Sequence, residues 1–236
     1  MEKEKNPVAA VGLFIMAGLI VLGICMVIAV GKFKSYDRVV SVKGLCEKEV
    51  PADKVIWPLA YKLVGNELMA LYNEINRQND IVIQFLTSNG LSKEDIYVSA
   101  PQIIDVQADI YADQKRLYRY NVTSVITVAT GNVAKVREII DKQTDLLAKG
   151  VALTNNGYNY QVSYEFTGLN EIKPGMIEEA TANARNAAEK FAENSRSRLG
   201  KIKNAWQGQF SVSDRDANTP YIKNVRVVTS VDYYLR

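Results

Sequence analysis

The sequence predicts an α+β fold, with antiparallel or mixed sheets packed by about three helices, behind one N-terminal transmembrane helix. Three observations support this prediction. Residues 8–31 carry no charge, later segments alternate apolar and polar residues as strands do, and three others repeat apolar residues at helical spacing. Because pairs of strands separate the helices, the order favours α+β over a doubly wound parallel sheet.

The uncharged run at residues 8–31 is long enough to cross a bilayer. As a helix it would extend about 36 Å, and the hydrocarbon core is about 30 Å thick. A cleaved secretory signal would have a shorter apolar core and a small-residue cleavage site, so we expect a retained anchor. Residues 1–7 then form a short tail, residues 32–38 a polar connector, and residues 39–236 the folded domain.

The elements of residues 39–236 are predicted from periodicity and from turn and cap residues. Asn66 is expected to cap the first helix and Gly90 to end it, whereas Asn132 and Gly150 bound the second. A polar turn at 112–115 joins two long strands. The predicted strands are 39–50, 54–63, 96–110, 117–128, 158–166, 202–212 and 223–235, and the predicted helices are 66–88, 132–150 and 174–199.

The composition excludes several classes of function. The chain contains no histidine, so it lacks His-based nucleophile systems and His-ligated zinc. Its 29 basic and 26 acidic residues are interspersed, which argues against a nucleic-acid partner. Phosphate-binding loops rich in glycine are absent. We therefore expect no catalytic residue, no metal ligand and no cofactor, and we expect that the protein is not an enzyme.

A recurring set of carboxylates is the first candidate site. Asp105, Asp109 and Asp113 follow one another at intervals of four residues, which on an extended strand places them on one face. Such carboxylates bind calcium or act as acid and base in glycoside cleavage. Solvent-facing acids of a strand and turn explain them as well, and we prefer that interpretation because no calcium loop accompanies them.

Three further features have an ordinary structural interpretation beside a functional one. The densest basic cluster is explained by compensation of a helix dipole, with contact to anionic lipid headgroups as the alternative. Cys46 is expected to be buried and inert in a strand, although a reactive or intersubunit thiol is the alternative. The glycosylation sequon at 121–123 falls in mid-strand and is interpreted as accidental. The basic cluster consists of Arg196, Arg198, Lys201 and Lys203.

Four segments of the chain form a recognisable set. They are VSVKGLCEKEVPADKV with Val42, Gly44, Pro51 and Asp53, LTSNGLSKEDI, the Ala-rich EEATANARNAAEKFAENSRSRLGKI, and the closing VRVVTSVDYYL. Together they resemble the SIMPL domains, which include bacterial periplasmic immunogenic proteins. The third is the most specific of the four. The sequence departs from the family pattern at Leu45 and Cys46, where a small or acidic residue is frequent, and in keeping its N-terminal helix.

The resemblance implies an envelope protein that faces the periplasm or the cell exterior, with ring-like or channel-like homo-oligomers in some members and an association with stress tolerance. Lysines and arginines flank the apolar run on both sides, so their count does not orient it. With the resemblance, we expect an inner-membrane protein with its N-terminus inside and residues 39–236 outside. Its partners would be the bilayer, through residues 8–31, and copies of itself.

The function expected from these observations is that of a self-assembling envelope protein with a structural or stress-protective role. A binding module for an envelope peptide, lipid or polymer is the main alternative. A histidine-free hydrolase that uses Asp105 and Asp109 is the third.

Overall fold

The computed structural model describes residues 7–35, 38–108, 117–154 and 159–236. Within these ranges the chain forms five α-helices and nine strands. The helices are α1 (Pro7–Ser35), α2 (Leu68–Ser88), α3 (Val133–Ile140), α4 (Thr144–Ala148) and α5 (Leu169–Asn194). The strands are β1 (Val39–Pro51), β2 (Lys54–Gly65), β3 (Ile96–Val98), β4 (Gln102–Asp105), β5 (Tyr120–Thr130), β6 (Ser163–Glu165), β7 (Leu199–Gln207), β8 (Ser211–Asp214) and β9 (Ile222–Leu235).

The strands form two open sheets. In one, the order is β1-β9-β7, and β8 also pairs with β9; in the other, the order is β3-β5-β2-β6, and β4 also pairs with β5. The pairs of β2 with β5 and β6, of β5 with β3 and β4, and of β7 with β9 are antiparallel. Together with the helices, these sheets confirm the predicted α+β class.

The chain divides into two compact units. The first comprises Met1–Glu47, Lys173–Ser211 and Arg226–Arg236, and the second comprises Lys48–Ile172 and Val212–Val225. Each unit buries its own apolar face.

In the second unit, alternate residues of β2 and β5 form one buried face. Trp57 pairs with Val128 and Leu59 with Ile126 in the antiparallel register, so their side chains emerge on the same side. The helix α2 covers this face with a stripe at the three-and-four spacing that its sequence predicts. The stripe consists of Leu71, Ile75, Gln78, Val82, Phe85 and Leu86.

A buried polar network joins α2 to this sheet. The hydroxyl of Tyr61 donates to Asn79 Oδ1 at 2.7 Å, and the hydroxyl of Ser124 donates to the same oxygen at 3.1 Å. Both Tyr61 and Ser124 are almost fully buried, and burial raises the pKa of Tyr61. Because a buried polar group without a partner is costly, the network favours one position of α2 on the sheet.

In the first unit, α5 lies against β1 at backbone distance. Its buried face is a row of alanines at intervals of four residues. A Cβ atom at Gly44 would overlap the carbonyl oxygen of Ala180 and lie 2.9 Å from the Cβ of Ala184. Asn183 Nδ2 also donates to the carbonyl oxygen of Leu45 at 2.9 Å. The alanine row consists of Ala180, Ala184, Ala188 and Ala192.

The carboxylate of Asp53 binds the backbone that leads into α5. It accepts hydrogen bonds from the backbone nitrogens of Thr167 at 2.8 Å and Gly168 at 2.9 Å. Burial by itself would raise the pKa of Asp53, but these hydrogen bonds outweigh it and the pKa is lowered. The first N–H groups of a helix lack intrahelical partners, and α5 begins at Leu169 rather than at the predicted Pro174 because Asp53 holds the preceding turn.

Other predicted boundaries need correction. Asn66 does not cap α2; its Oδ1 accepts from the backbone nitrogen of Arg119 at 2.8 Å. Asn132 does cap α3, through Lys135 N, but the predicted helix at 132–150 is broken by a turn into α3 and α4. Both Gly90 and Gly150 have positive φ, as the predicted helix ends require.

Three predicted strands are shorter or divided. The segment 96–110 contains β3 and β4, which Pro101 separates because proline has no N–H for a ladder. Of the predicted strand 158–166, the described part begins at 159 and pairs at 163–165 alone. The segment 202–212 is divided at Gly208 into β7 and β8. The predicted turn at 112–115 lies outside the described residues. The helix α1 continues to Ser35, so residues 32–35 of the connector expected at 32–38 are helical.

Replacement of Gly44 by alanine tests the contact between β1 and α5. The added methyl group overlaps backbone atoms of α5, so we expect Gly44→Ala to lower the free energy of unfolding by about 3 kcal/mol. Gly175→Ala is the matched control, because nothing lies within 4 Å of its added Cβ and alanine favours a helix by about 0.5–1 kcal/mol. Urea unfolding in mild detergent, followed by circular dichroism, measures both; equal effects would contradict the contact.

Asp53→Asn tests the turn before α5. We expect a loss of about 1 kcal/mol at neutral pH, as for a lost helix cap. Because the pKa of Asp53 is lowered in the folded state, its contribution is present above the unfolded value of 3.8 and is lost as the pH falls through the folded value. The variant and the wild type should therefore converge in stability in acid. Asp80→Asn, at an exposed position, is the control and should change stability by less than about 0.5 kcal/mol. A stability difference between Asp53→Asn and the wild type that grows in acid would contradict the role assigned to Asp53.

Candidate functional site

One end of the first sheet gathers residues from distant parts of the sequence. The backbone nitrogen of Leu235 donates to the carbonyl oxygen of Arg38 at 2.8 Å, which places the start of β1 beside the end of β9. Arg198 and Arg236 exchange backbone hydrogen bonds of 2.6 and 2.8 Å, which places the start of β7 on the other side of β9. We call Arg38, Arg196, Arg198 and Arg236 the basic rim.

Arg196 has a backbone conformation that arginine rarely adopts. Its φ is 54°, in the left-handed region, and it lies two residues after the end of α5. Ser197 N donates to the carbonyl oxygen of Ala192 at 2.9 Å, and Arg196 N to that of Glu193 at 3.0 Å. These bonds form a Schellman motif, whose left-handed position is usually glycine. A residue with a Cβ pays roughly 1–2 kcal/mol there.

The basic cluster predicted from the sequence is only partly a helix-end feature. The last turn of α5 contains no basic residue, and Lys201 and Lys203 belong to the strand β7. Compensation of the helix dipole, which acts within the last turn, is therefore the wrong explanation for these two lysines. Sequence reasoning also missed Arg38 and Arg236, which only the pairing of the first and last strands brings to Arg198.

Among the described strands, β7 is an edge of its sheet. It ends the order β1-β9-β7, and its pairing with β9 is irregular on both sides of Ile202. Ile202 and Trp206 are 51% and 55% exposed. An edge strand presents unpaired N–H and C=O groups to other chains, so the backbone and apolar side chains of β7 are both available for contact.

The helix α1 presents apolar side chains on its whole described surface. The stretch Val11–Gly31 is long and apolar enough to cross a membrane, and none of it is buried against the described residues. Its large side chains from Val11 to Val30 are between 55% and 76% exposed. At about 1.5 Å per residue this stretch is about 32 Å long, which matches a hydrocarbon core. A membrane span and a signal sequence share these properties.

The carboxylates predicted at 105–113 do not form a described site. Arg119 donates from Nη2 to Oδ2 of Asp105 at 2.9 Å and from Nε to Oδ1 at 3.3 Å. The hydrogen bonds from Arg119 hold the pKa of Asp105 below its ordinary value. Asp105 is thus one partner of a surface ion pair, and Asp109 and Asp113 lie outside the described residues. Among those that are described, no three His, Cys, Asp or Glu side chains are grouped to hold a metal ion.

The remaining candidates, Cys46 and the sequon at 121–123, both lie in strands. Cys46 is buried in β1, as expected, and its thiol donates to Glu179 Oε2 of α5 at 3.2 Å. Asn121 of the sequon is the second residue of β5 and pairs with Val64 on one side and Ile104 on the other. The sequon thus lies in a strand as predicted, but near the start of that strand rather than in its middle.

Residues that carry the SIMPL resemblance make specific contacts in this fold. Gly44 and the alanine row form the contact of β1 with α5, and Asp53 binds the turn before that helix. Comparison with curated proteins finds no match. A family model described as "SIMPL: Protein of unknown function (DUF541)" matches residues 40–231, which is most of the chain, and the protein therefore belongs to the SIMPL family.

Proposed function

We propose that this SIMPL protein is a single-pass envelope protein, held in the bacterial inner membrane by α1, whose folded part assembles into homo-oligomers with a structural or stress-protective role. The observation that carries the proposal is the apolar surface of α1. About 32 Å of helix exposes only uncharged residues, and such a surface is stable in lipid and costly in water. Residues 39–236 would lie on the periplasmic or extracellular side.

The edge strand β7 supports the assembly part of the proposal. Ile202 and Trp206 stay half-exposed beside an unpaired strand edge, and tryptophan is enriched among the residues that dominate interface energies. Anchoring in one bilayer also raises the local concentration of copies, which makes weak edge contacts effective.

The same edge also favours the alternative of a binding module. An extended peptide can add to an exposed strand through main-chain hydrogen bonds, with pockets for alternate side chains. Self-assembly and peptide capture differ in what occupies β7. The mass of the purified particle separates them, because a monomer with a free edge supports the binding module.

Retention of α1 is the first expected result. Because the apolar run is longer than that of a cleaved signal, we expect the mature protein to keep residues 8–31. Its intact mass should include them, and alkaline carbonate should leave the protein in the membrane pellet. A mature chain that begins after Val30 would refute the anchor.

Substitution in β7 tests the assembly. We expect the full chain in detergent to be oligomeric by light scattering, and Trp206→Glu to weaken association by about 2 kcal/mol, the loss typical of an interface hot spot, or roughly 30-fold. Tyr97→Glu is the matched control, since Tyr97 is equally exposed, at 56%, on another strand, and it should leave the mass unchanged.

Circular dichroism of both variants checks that each is folded. A wild-type monomer at all concentrations would contradict the assembly, and an oligomer that Trp206→Glu leaves intact would contradict the assignment of β7.

A further inference from the structure

We propose that the basic rim binds the anionic phospholipid headgroups of the membrane that α1 enters. The inference rests on the proposed anchor and adds a ligand class and a site to it. Arg38, Arg198 and Arg236 directly flank the ends of three neighbouring strands, and adjacent strands lie about 4.8 Å apart. Their backbones therefore form a row about 10 Å long at one end of the sheet, and Arg196 lies two residues before Arg198.

The length of chain between α1 and β1 keeps this rim close to the bilayer. The apolar stretch ends at Gly31, the helix continues to Ser35, and Arg38 follows three residues later. Four helical residues extend about 6 Å, and three extended residues at most about 11 Å. Arg38 thus lies within about 17 Å of the hydrocarbon edge in any arrangement of the connector, a distance comparable to the headgroup layer plus one Debye length of about 10 Å.

The charge near the rim has one predominant sign. Residues 195–203 contain four basic residues and no acid, and residues 32–38 contain three basic residues and one acid, Asp37. On the helix and strands that lead to the rim, Glu193 of α5 pairs with Lys190, and Asp232 of β9 accepts from Ser41 and Asn204. A juxtamembrane basic cluster of this kind is attracted to anionic lipid, roughly fivefold in affinity for each basic residue near the surface.

The conformation of Arg196 is an independent indication. Glycine would relieve the strain at its left-handed φ of 54°, yet the position holds a long cationic side chain. Strained residues are often retained where they serve a site. A headgroup phosphate is a suitable partner, because guanidinium binds phosphate oxygens in a bidentate manner.

Hydrogen–deuterium exchange of the full chain in nanodiscs tests the inference. One set of discs contains phosphatidylcholine alone, and the other contains phosphatidylcholine with phosphatidylglycerol. We expect amides at 195–200 and 234–236 to exchange several-fold more slowly in the anionic discs, while those around Trp206 do not respond. Each of Arg196→Gly and Arg198→Gln should reduce this added protection roughly fivefold, and molar salt should abolish it.

Arg196→Gly also has a second, opposite readout. Because it removes backbone strain, we expect the midpoint of thermal unfolding to rise by about 2–4 °C while the lipid effect falls. Arg185→Gln is the charge-matched control; it lies on α5 about 14 Å before the helix ends and should leave the lipid effect unchanged.

The outcomes separate this inference from the anchor. Equal exchange in the two kinds of disc, or an anionic effect that survives in the Arg196→Gly and Arg198→Gln variants, would overturn the headgroup site and leave the anchor intact. A full chain that fails to incorporate into either disc would overturn both.

Discussion

The close approach of β1 to α5 is the constraint on which the first unit depends. At Gly44 the strand leaves no room for a side chain, because backbone atoms of Ala180 and Ala184 occupy that space. The alanine row follows from the same constraint, since a larger side chain on that face would push the helix away from the sheet. The surrounding core is correspondingly small, with Val40, Val231 and Tyr233 packed against Ala184 and Ala188. In this unit, close contact between the backbones of β1 and α5 fills the space that large side chains fill in other cores.

The second unit is held together differently. Large residues of β2, such as Trp57 and Leu59, fill its core, and Tyr61 shares a buried hydrogen-bond network with α2. Bulky apolar packing provides most of the stabilisation in such a core, whereas polar contacts restrict the arrangement of its parts. Asp53 adds one more restriction, because it binds the turn through which the chain enters α5.

The sequence predicted the features that depend on local pattern. The uncharged run forms one continuous helix, and the buried residues of α2 and the alanine row of α5 recur at helical spacing in the structure. The limits of strands were predicted less well, because the pairing of a strand depends on distant neighbours. The apolar alternation that predicted a strand at 158–166 is longer than the three residues of β6 that pair. The basic rim lay beyond prediction for the same reason. Arg38 and Arg236 are nearly 200 positions apart in the sequence. The left-handed conformation of Arg196 was not predicted either, because glycine is the residue that usually indicates this conformation at a helix end.

The pairing of β1 with β9 has a consequence for biogenesis. The strands β2 to β6 lie within one continuous segment, Lys48–Ile172, so their sheet can form while synthesis is still in progress. β1 begins before that segment, but its neighbour in the other sheet is β9, which the ribosome makes last among the described strands. Since such long-range pairings form slowly, β1 lacks this partner until synthesis is nearly complete, and chaperones have their longest opportunity to act on that strand.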